Sequence, residues 1–181
     1  MSADGESGAE VSRAAPGPDS RTSLAGIAGG DSDAGANPSP PPAASRAVRV
    51  GDELPERTIE SVSAEKMKTM AALLGDPNTI HWDVDDVRRL GLGLRPVNQG
   101  PNNMGYVIDM LTDWAGGPAN FRRLKVRFEG NVFAEDRLVA GGKVTGVRPG
   151  PEGQLVDCEV WLARDGTEAV LTGTATVLLP D

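Results

Sequence analysis

Asp76 and His81 are the two residues of this chain best suited to proton chemistry. His81 is the only histidine in 181 residues, and imidazole is the side chain whose ordinary pKa lies nearest neutrality. A carboxylate within reach can orient the ring, or share with it the handling of a proton or a water. Asp76 and His81 are too far apart in sequence to meet on a strand. They converge only if the chain turns back between them, and Pro77-Asn78 favour such a turn. Spacing alone leaves two readings open. In one the pair is catalytic; in the other His81 opens a polar helix cap and Asp76 is a turn residue.

The surrounding pattern supplies elements that could hold such a turn. Arg57 to Val62 reads as a short first strand. Ser63 is placed to cap a helix whose Met67, Met70, Ala71 and Leu74 recur at helical spacing, and Gly75 ends it. Beyond His81, Asp83 is a candidate cap for a second short helix with Val84, Val87 and Leu90 on one side, closed by Gly91-Leu92-Gly93. Asn98-Gln99-Gly100-Pro101 then leads into the longest helical pattern of the chain. Its apolar stripe is Met104, Val107, Ile108, Leu111, Trp114 and Ala115, with Asn103, Asp109 and Asp113 on the other side. Pro101 suits the first turn, where its missing N–H does no harm, and Gly116-Gly117-Pro118 stops the helix.

From there the period switches to two. Leu124, Val126 and Phe128 alternate with Arg123, Lys125 and Arg127. Further strands are predicted from about Leu138 to Val147, over Val156, Cys158, Val160 and Leu162, and from Val170 to Leu179. Asp165-Gly166 reads as a two-residue hairpin turn. A long apolar helix followed by four strands joined through short turns predicts an α+β fold, an antiparallel sheet with helices on one side.

Gly75, Asp76, Asn78 and His81 resemble the Gly-Asp-x-Asn-Pro-x-His signature of the MaoC-like dehydratases, the (R)-specific enoyl-thioester hydratases of the hotdog fold. The resemblance runs from about Gly51 to the C-terminus. It departs at Thr79, where relatives usually have proline, and at Leu74, where a small hydroxyl residue is common. It implies a single hotdog domain whose antiparallel sheet wraps around the long central helix. It also implies a hydratase or dehydratase acting at the 2,3-position of enoyl or 3-hydroxyacyl thioesters.

Under that resemblance Asp76 and His81 form the catalytic pair, with the division of labour between them open. Gly100 matches the glycine whose backbone N–H meets the thioester oxygen at the helix N-terminus, where the dipole favours negative charge. Asn78, Asn98, Gln99 and Asn102 are the expected substrate-facing residues. Relatives typically read Ala-His-Gly-Met where this chain has Asn98-Gln99-Gly100-Pro101. That departure points to a substrate with polar groups, to a repacked helix start, or to a site that has lost activity. The implied partners are the acyl thioester and a second hotdog subunit, identical or different. Coenzyme A or pantetheine enters as part of the substrate, and no other cofactor or metal is implied. A non-catalytic subunit of a heterodimeric dehydratase and a hotdog thioesterase are the rival readings.

Composition narrows the partners. Residues 1–46 are dominated by Ala, Gly, Ser, Pro and Asp and contain no aromatic residue, a composition expected to stay disordered. Residues 47–181 have the size of one domain with one core. A formal charge of −8 argues against general nucleic-acid affinity, which needs a basic footprint. The densest positive charge lies at Arg88, Arg89 and Arg95 and at Arg122, Arg123, Lys125 and Arg127, which could face phosphates or simply solvent. No apolar run is long enough to span a bilayer. The sole cysteine, Cys158, falls at an inward strand position, reads as a buried hydrophobe and fits a cytoplasmic setting.

Overall fold

The computed structural model describes residues 47–165 and 168–181. The Ala/Gly/Ser/Pro-rich stretch 1–46, read as disordered from its composition, lies outside the described residues, as does the expected turn residue Gly166.

Ser63 caps the first helix as expected, its hydroxyl accepting the Lys66 N–H, and α1 runs Ala64–Leu74. Its inward face is narrower than the spacing predicts. Met67 and Ala71 are buried, whereas Leu74 is half exposed. Asp83 caps α2, Val84–Arg89, by accepting the N–H groups of Asp85 and Asp86. Only Val87 of that helix is fully buried, and Leu90 lies half exposed beyond its end.

The long helix α3 spans Gly100–Trp114 with Pro101 in its first turn. Val107, Met110, Leu111 and Trp114 form its buried stripe, and Asn103, expected on the polar side, is buried with them. Its amide is matched by hydrogen bonds inside the fold, as shown below, which sequence spacing cannot reveal.

The strands are β1 (Arg57–Ile59), β2 (Phe121–Phe128), β3 (Leu138–Gly150), β4 (Gly153–Arg164) and β5 (Glu168–Pro180). They form one antiparallel sheet in the order β1-β3-β4-β5-β2. α3 packs against all five strands. Val156, Cys158, Val160 and Leu162 of β4 all face the core, as their alternation requires.

Three expectations need correction. β1 stops at Ile59; Val62 lies beyond it, buried, and exchanges backbone hydrogen bonds with the 135–136 segment instead. β2 and β3 are not joined by a short turn, because β2 lies at the opposite edge from β1 and residues 129–137 carry the chain across to β3. Three positions, not two, separate the last paired residues Arg164 and Glu168, next to a register shift at Leu162 and Ala163.

The crossing segment 129–137 is what positions the site. Ala134 N–H donates to Pro96 O at 2.9 Å and Asn98 N–H to Val132 O at 2.7 Å, with Val97 bridged to Phe133. The chain entering α3 is thereby pinned against it. No helix among the described residues is long and apolar enough to cross a membrane.

Candidate active site

Gly75 takes the left-handed conformation, φ 60° and ψ 32°, a turn that a side chain would oppose. The turn reverses the chain so that Asp76 N–H donates to Ala71 O at 2.9 Å. One carboxylate oxygen of Asp76, Oδ1, then accepts the Asn78 N–H at 3.0 Å. Asn78 in turn accepts the Ile80 N–H at 3.4 Å and starts a single 3-10 turn, Thr79–His81. Pro77-Asn78 therefore bend the chain back as their types predict.

Thr79 carries out a task that a proline could not. Its hydroxyl donates to Asp86 Oδ2 at 2.5 Å, tying the 3-10 turn to the first turn of α2. That bond first, and the Arg89 guanidinium second, hold the Asp86 carboxyl below its ordinary value against the opposing effect of burial.

The result of these local bonds is a close pair. Asp76 Oδ2 lies 3.3 Å from His81 Nε2, with the Asp76 side chain 27% exposed and the imidazole only 9%. The other ring nitrogen is fixed by the core: Nδ1 lies 2.5 Å from Val97 O. A carbonyl can only accept, so Nδ1 carries a proton. Nε2 therefore faces Asp76 with a lone pair when the ring is neutral and with a proton when it is charged. Of the two side chains bordering the Nε2–Oδ2 gap, Asp76 is the more exposed.

Val97 is itself held on both sides. Its N–H donates to Ile80 O at 2.9 Å, and the pairing with residues 132–134 backs it from behind. Arg95 adds a side-chain clamp, Nη2 donating to Asp136 Oδ1 at 2.7 Å, with its guanidinium stacked 5.7 Å from the Phe133 ring centre. Asp136 is buried, accepts the Phe133 N–H at 2.9 Å and also faces Arg164 at 3.6 Å. Sequence spacing gave no sign of Asp136 or Val97, because both act across 16 or more residues.

The helix entrance is built differently. Asn98 and Gln99 are buried, at 4% and 2% exposure. Asn98 Nδ2 donates to Asn103 Oδ1 at 2.7 Å, Asn102 Nδ2 is shared between Asn98 Oδ1 and Gln99 Oε1 at 3.0 Å each, and Gln99 Nε2 donates to Met67 O at 2.9 Å. Among the described residues every buried side-chain nitrogen and oxygen has a partner. Burial pushes the Tyr106 phenol up, so it stays a neutral hydroxyl.

Gly100 opens α3 directly after that network. Gln99 O takes the N–H groups of both Asn102 and Asn103, and Pro101 has none, while Gly100 N–H has no hydrogen-bond partner among the described residues. It is a free donor at the positive end of a helix of 15 residues. On its other side a Cβ would stand 3.1 Å from the Phe128 ring. Phe128 is half exposed at the end of β2; the strand alternation had placed it inward.

Among the described residues no three His, Cys, Asp or Glu side chains gather as a metal site. Of the clustered cations, Arg88, Arg89 and Arg95 are matched by Asp85, Asp86 and Asp136. Arg123 and Lys125 stay exposed on the edge strand β2.

A sequence profile described as MaoC like domain matches residues 46–162, a span that contains the turn, the helix entrance, the first three strands and most of the fourth. The chain belongs to the MaoC-like family. No curated protein matches it. Among solved structures, this MaoC-like chain is similar to an (R)-hydratase from A. caviae involved in PHA biosynthesis, with a TM-score of 0.65 and 22% identity over 75% of this chain and 99% of that one. The unliganded R-hydratase PhaJ1 from Pseudomonas aeruginosa gives 0.64 and 20% over 74% and 83%. A chain of the ChsH1-ChsH2 complex from Mycobacterium tuberculosis gives 0.62 and 23% over 74% and 99%. These likenesses establish the hotdog fold, a sheet wrapped on a central helix. The activity has to be argued from the site itself.

Proposed function

We propose that this MaoC-like domain adds water to 2-enoyl thioesters, or removes it from 3-hydroxyacyl thioesters. The observation that carries the reading is the 3.3 Å contact between Asp76 Oδ2 and His81 Nε2, with the opposite ring nitrogen spent on Val97 O. In hydration, a water held at this gap gives a proton to the pair as its oxygen bonds to C3. Negative charge moves to the thioester oxygen, where the free Gly100 N–H and the α3 dipole stabilise it. The pair then returns a proton to C2, leaving the 3-hydroxyacyl thioester; dehydration is the reverse. Which of Asp76 and His81 accepts first is a property of the pair.

Coenzyme A or a carrier's pantetheine enters with the substrate in this reading. A second hotdog subunit, identical or different, covers the open β2 edge. The outer edge of this eight-residue strand, whose inner edge pairs with β5, is a natural pairing surface, and its Arg and Lys side chains set which partners can approach.

Two observations favour a second reading, a subunit that supports an active sister. The amides at the α3 entrance are all engaged internally, and the chain is similar to one from a two-protein complex. The purified chain, tested alone with crotonyl-CoA, decides between these. Hydration removes the absorbance of the conjugated double bond and releases no thiol. Loss of absorbance only after a sister subunit is added supports the second reading, and release of thiol makes the protein a thioesterase.

A further inference from the structure

Arg95 lies two residues before Val97, whose carbonyl meets the His81 ring. On either side of Val97 the chain is bonded to the crossing segment, Ala134 N–H donating to Pro96 O and Asn98 N–H to Val132 O. Backbone groups of successive residues in such a pairing face opposite edges, so those of Val97 point the other way, toward the 79–81 turn. Its N–H meets Ile80 O at 2.9 Å and its C=O meets His81 Nδ1 at 2.5 Å. The ring therefore sits wherever the 132–134 backbone holds Val97.

We propose that Arg95, braced on Asp136, is a positioning residue for His81, keeping Val97 O where it fixes the ring proton on Nδ1. Two observations carry it. Arg95 grips both parts of the support: Nη1 donates to the carbonyl of Ala134, the residue that pairs with Pro96, and Nη2 donates to Asp136 Oδ1 at 2.7 Å. The turn that carries Asp136 is also strained, since Glu135 has φ 70°, a conformation costly to a residue with a side chain. Asp136 closes that turn, its Oδ2 accepting the Phe133 N–H at 2.9 Å and its own N–H returning to Phe133 O at 3.2 Å. Val62 O takes the Glu135 N–H at 2.8 Å and holds it from outside.

Stability alone is a poor reason for this arrangement. The Asp136 side chain is 4% exposed and that of Arg95 43%, and the cost of taking the anion out of water offsets much of the attraction. Asp136 also faces a second cation, Arg164, at 3.6 Å, so its charge is matched even without Arg95. What Arg95 alone supplies is the tie between that carboxylate and the strand that carries Val97. A ring whose Nδ1 acceptor drifts can pass its proton to the other nitrogen. In that tautomer Nε2 offers Asp76 a proton in place of a lone pair. The kinetic consequence rests on the hydratase reading of Asp76 and His81; the place of the ring proton does not.

His81 is the only histidine of the chain, so ring-nitrogen NMR of the full, untagged protein reads it alone. Above about pH 8, where free imidazole is neutral, the parent should show a protonated Nδ1 and a bare Nε2. Arg95→Met should draw the two nitrogen shifts together as the tautomers mix. It should also lower kcat for crotonyl-CoA hydration roughly tenfold or more, with KM little changed. Arg164→Met, which takes the other cation from Asp136, should leave both readings as in the parent, whatever it costs in Tm. Arg95→Lys keeps the charge but cannot span both acceptors, and should fall between. Should Arg95→Met not fold, Arg95→Lys decides by the same two readings. Mixed tautomers in the parent, unmoved shifts in the Arg95 variants, an equal effect from Arg164→Met, or a loss confined to KM would overturn the proposal. A tautomer change in a protein that does not hydrate crotonyl-CoA keeps the positioning role and removes the hydratase reading; hydration with unmoved shifts does the reverse.

Discussion

The Asp76–His81 turn and the Asn98–Asn103 helix entrance are both dense in polar side chains, and both are tied to α1. They differ in how much of that polarity is already spent. At the entrance Asn98, Gln99 and Asn103 are buried at 4%, 2% and 3% exposure, and their amides are occupied within the fold. At the turn, one oxygen of Asp76 holds Asn78 N–H while the other faces His81, and the carboxylate remains open to water. A saturated buried network fixes a shape. A carboxylate with unfilled capacity beside an imidazole can exchange protons. Polar side chains thus saturate one another in one region and keep an exposed carboxylate in the other.

That contrast breaks first, if it is wrong, at the entrance. Asn103→Ala leaves the buried Asn98 Nδ2 without its acceptor and should cost about 1–3 kcal/mol, a Tm loss on the order of 5–10 °C. Thermal unfolding that barely moves would show that the network does not hold the helix. Asn78→Ala at the turn should act the other way round. Its cap bond is long and exposed, so stability should fall by less than about 1 kcal/mol. Hydration should fall roughly tenfold or more, because the pair loses its registration.

A smaller effect is expected at Thr79. Thr79→Val removes the hydroxyl that holds the Asp86 carboxyl below its ordinary value of 3.8. A lowered folded-state value means stability that is present above 3.8 and is lost as pH falls through the folded value. The Tm difference between Thr79→Val and the parent should therefore be full at neutral pH and shrink below about pH 4. A difference that does not change from pH 7 to pH 3 would remove the bond from the account. Thr79→Pro should keep most of the activity, since Thr79 opens the 3-10 turn, where proline is tolerated. The smallest effect concerns Cys158. Burial pushes its thiol up to about 12, so alkylating reagents at pH 8 should modify it only after unfolding.

Local signals were legible in the sequence. Ser63, Asp83 and Pro101 mark helix starts, Gly75 marks an end, and the alternation in β4 marks its buried face, because each depends on neighbours within a few residues. The pairing of Asp76 with His81 was legible for the same reason. The burial of Asn103, the outward position of Phe128 and the crossing from β2 to β3 were not. Each depends on partners distant in sequence: Asn103 on the Asn98 network, Phe128 on Gly100, and the crossing on the strand order. The anchoring of His81 by Val97 and the clamp of Arg95 on Asp136 stayed hidden likewise, as no periodicity reports a backbone carbonyl or an ion pair 41 residues away.

The claim that Asp76 and His81 work as one unit is tested most directly by kcat/KM for crotonyl-CoA hydration in Asp76→Asn, His81→Ala and the double variant, each checked for an unchanged fold. Each single change should lower the rate by about 10²–10⁴-fold, and the double variant should be no slower than the worse single one. A single variant that stays near the parent rate, or losses that multiply in the double variant, would contradict the account.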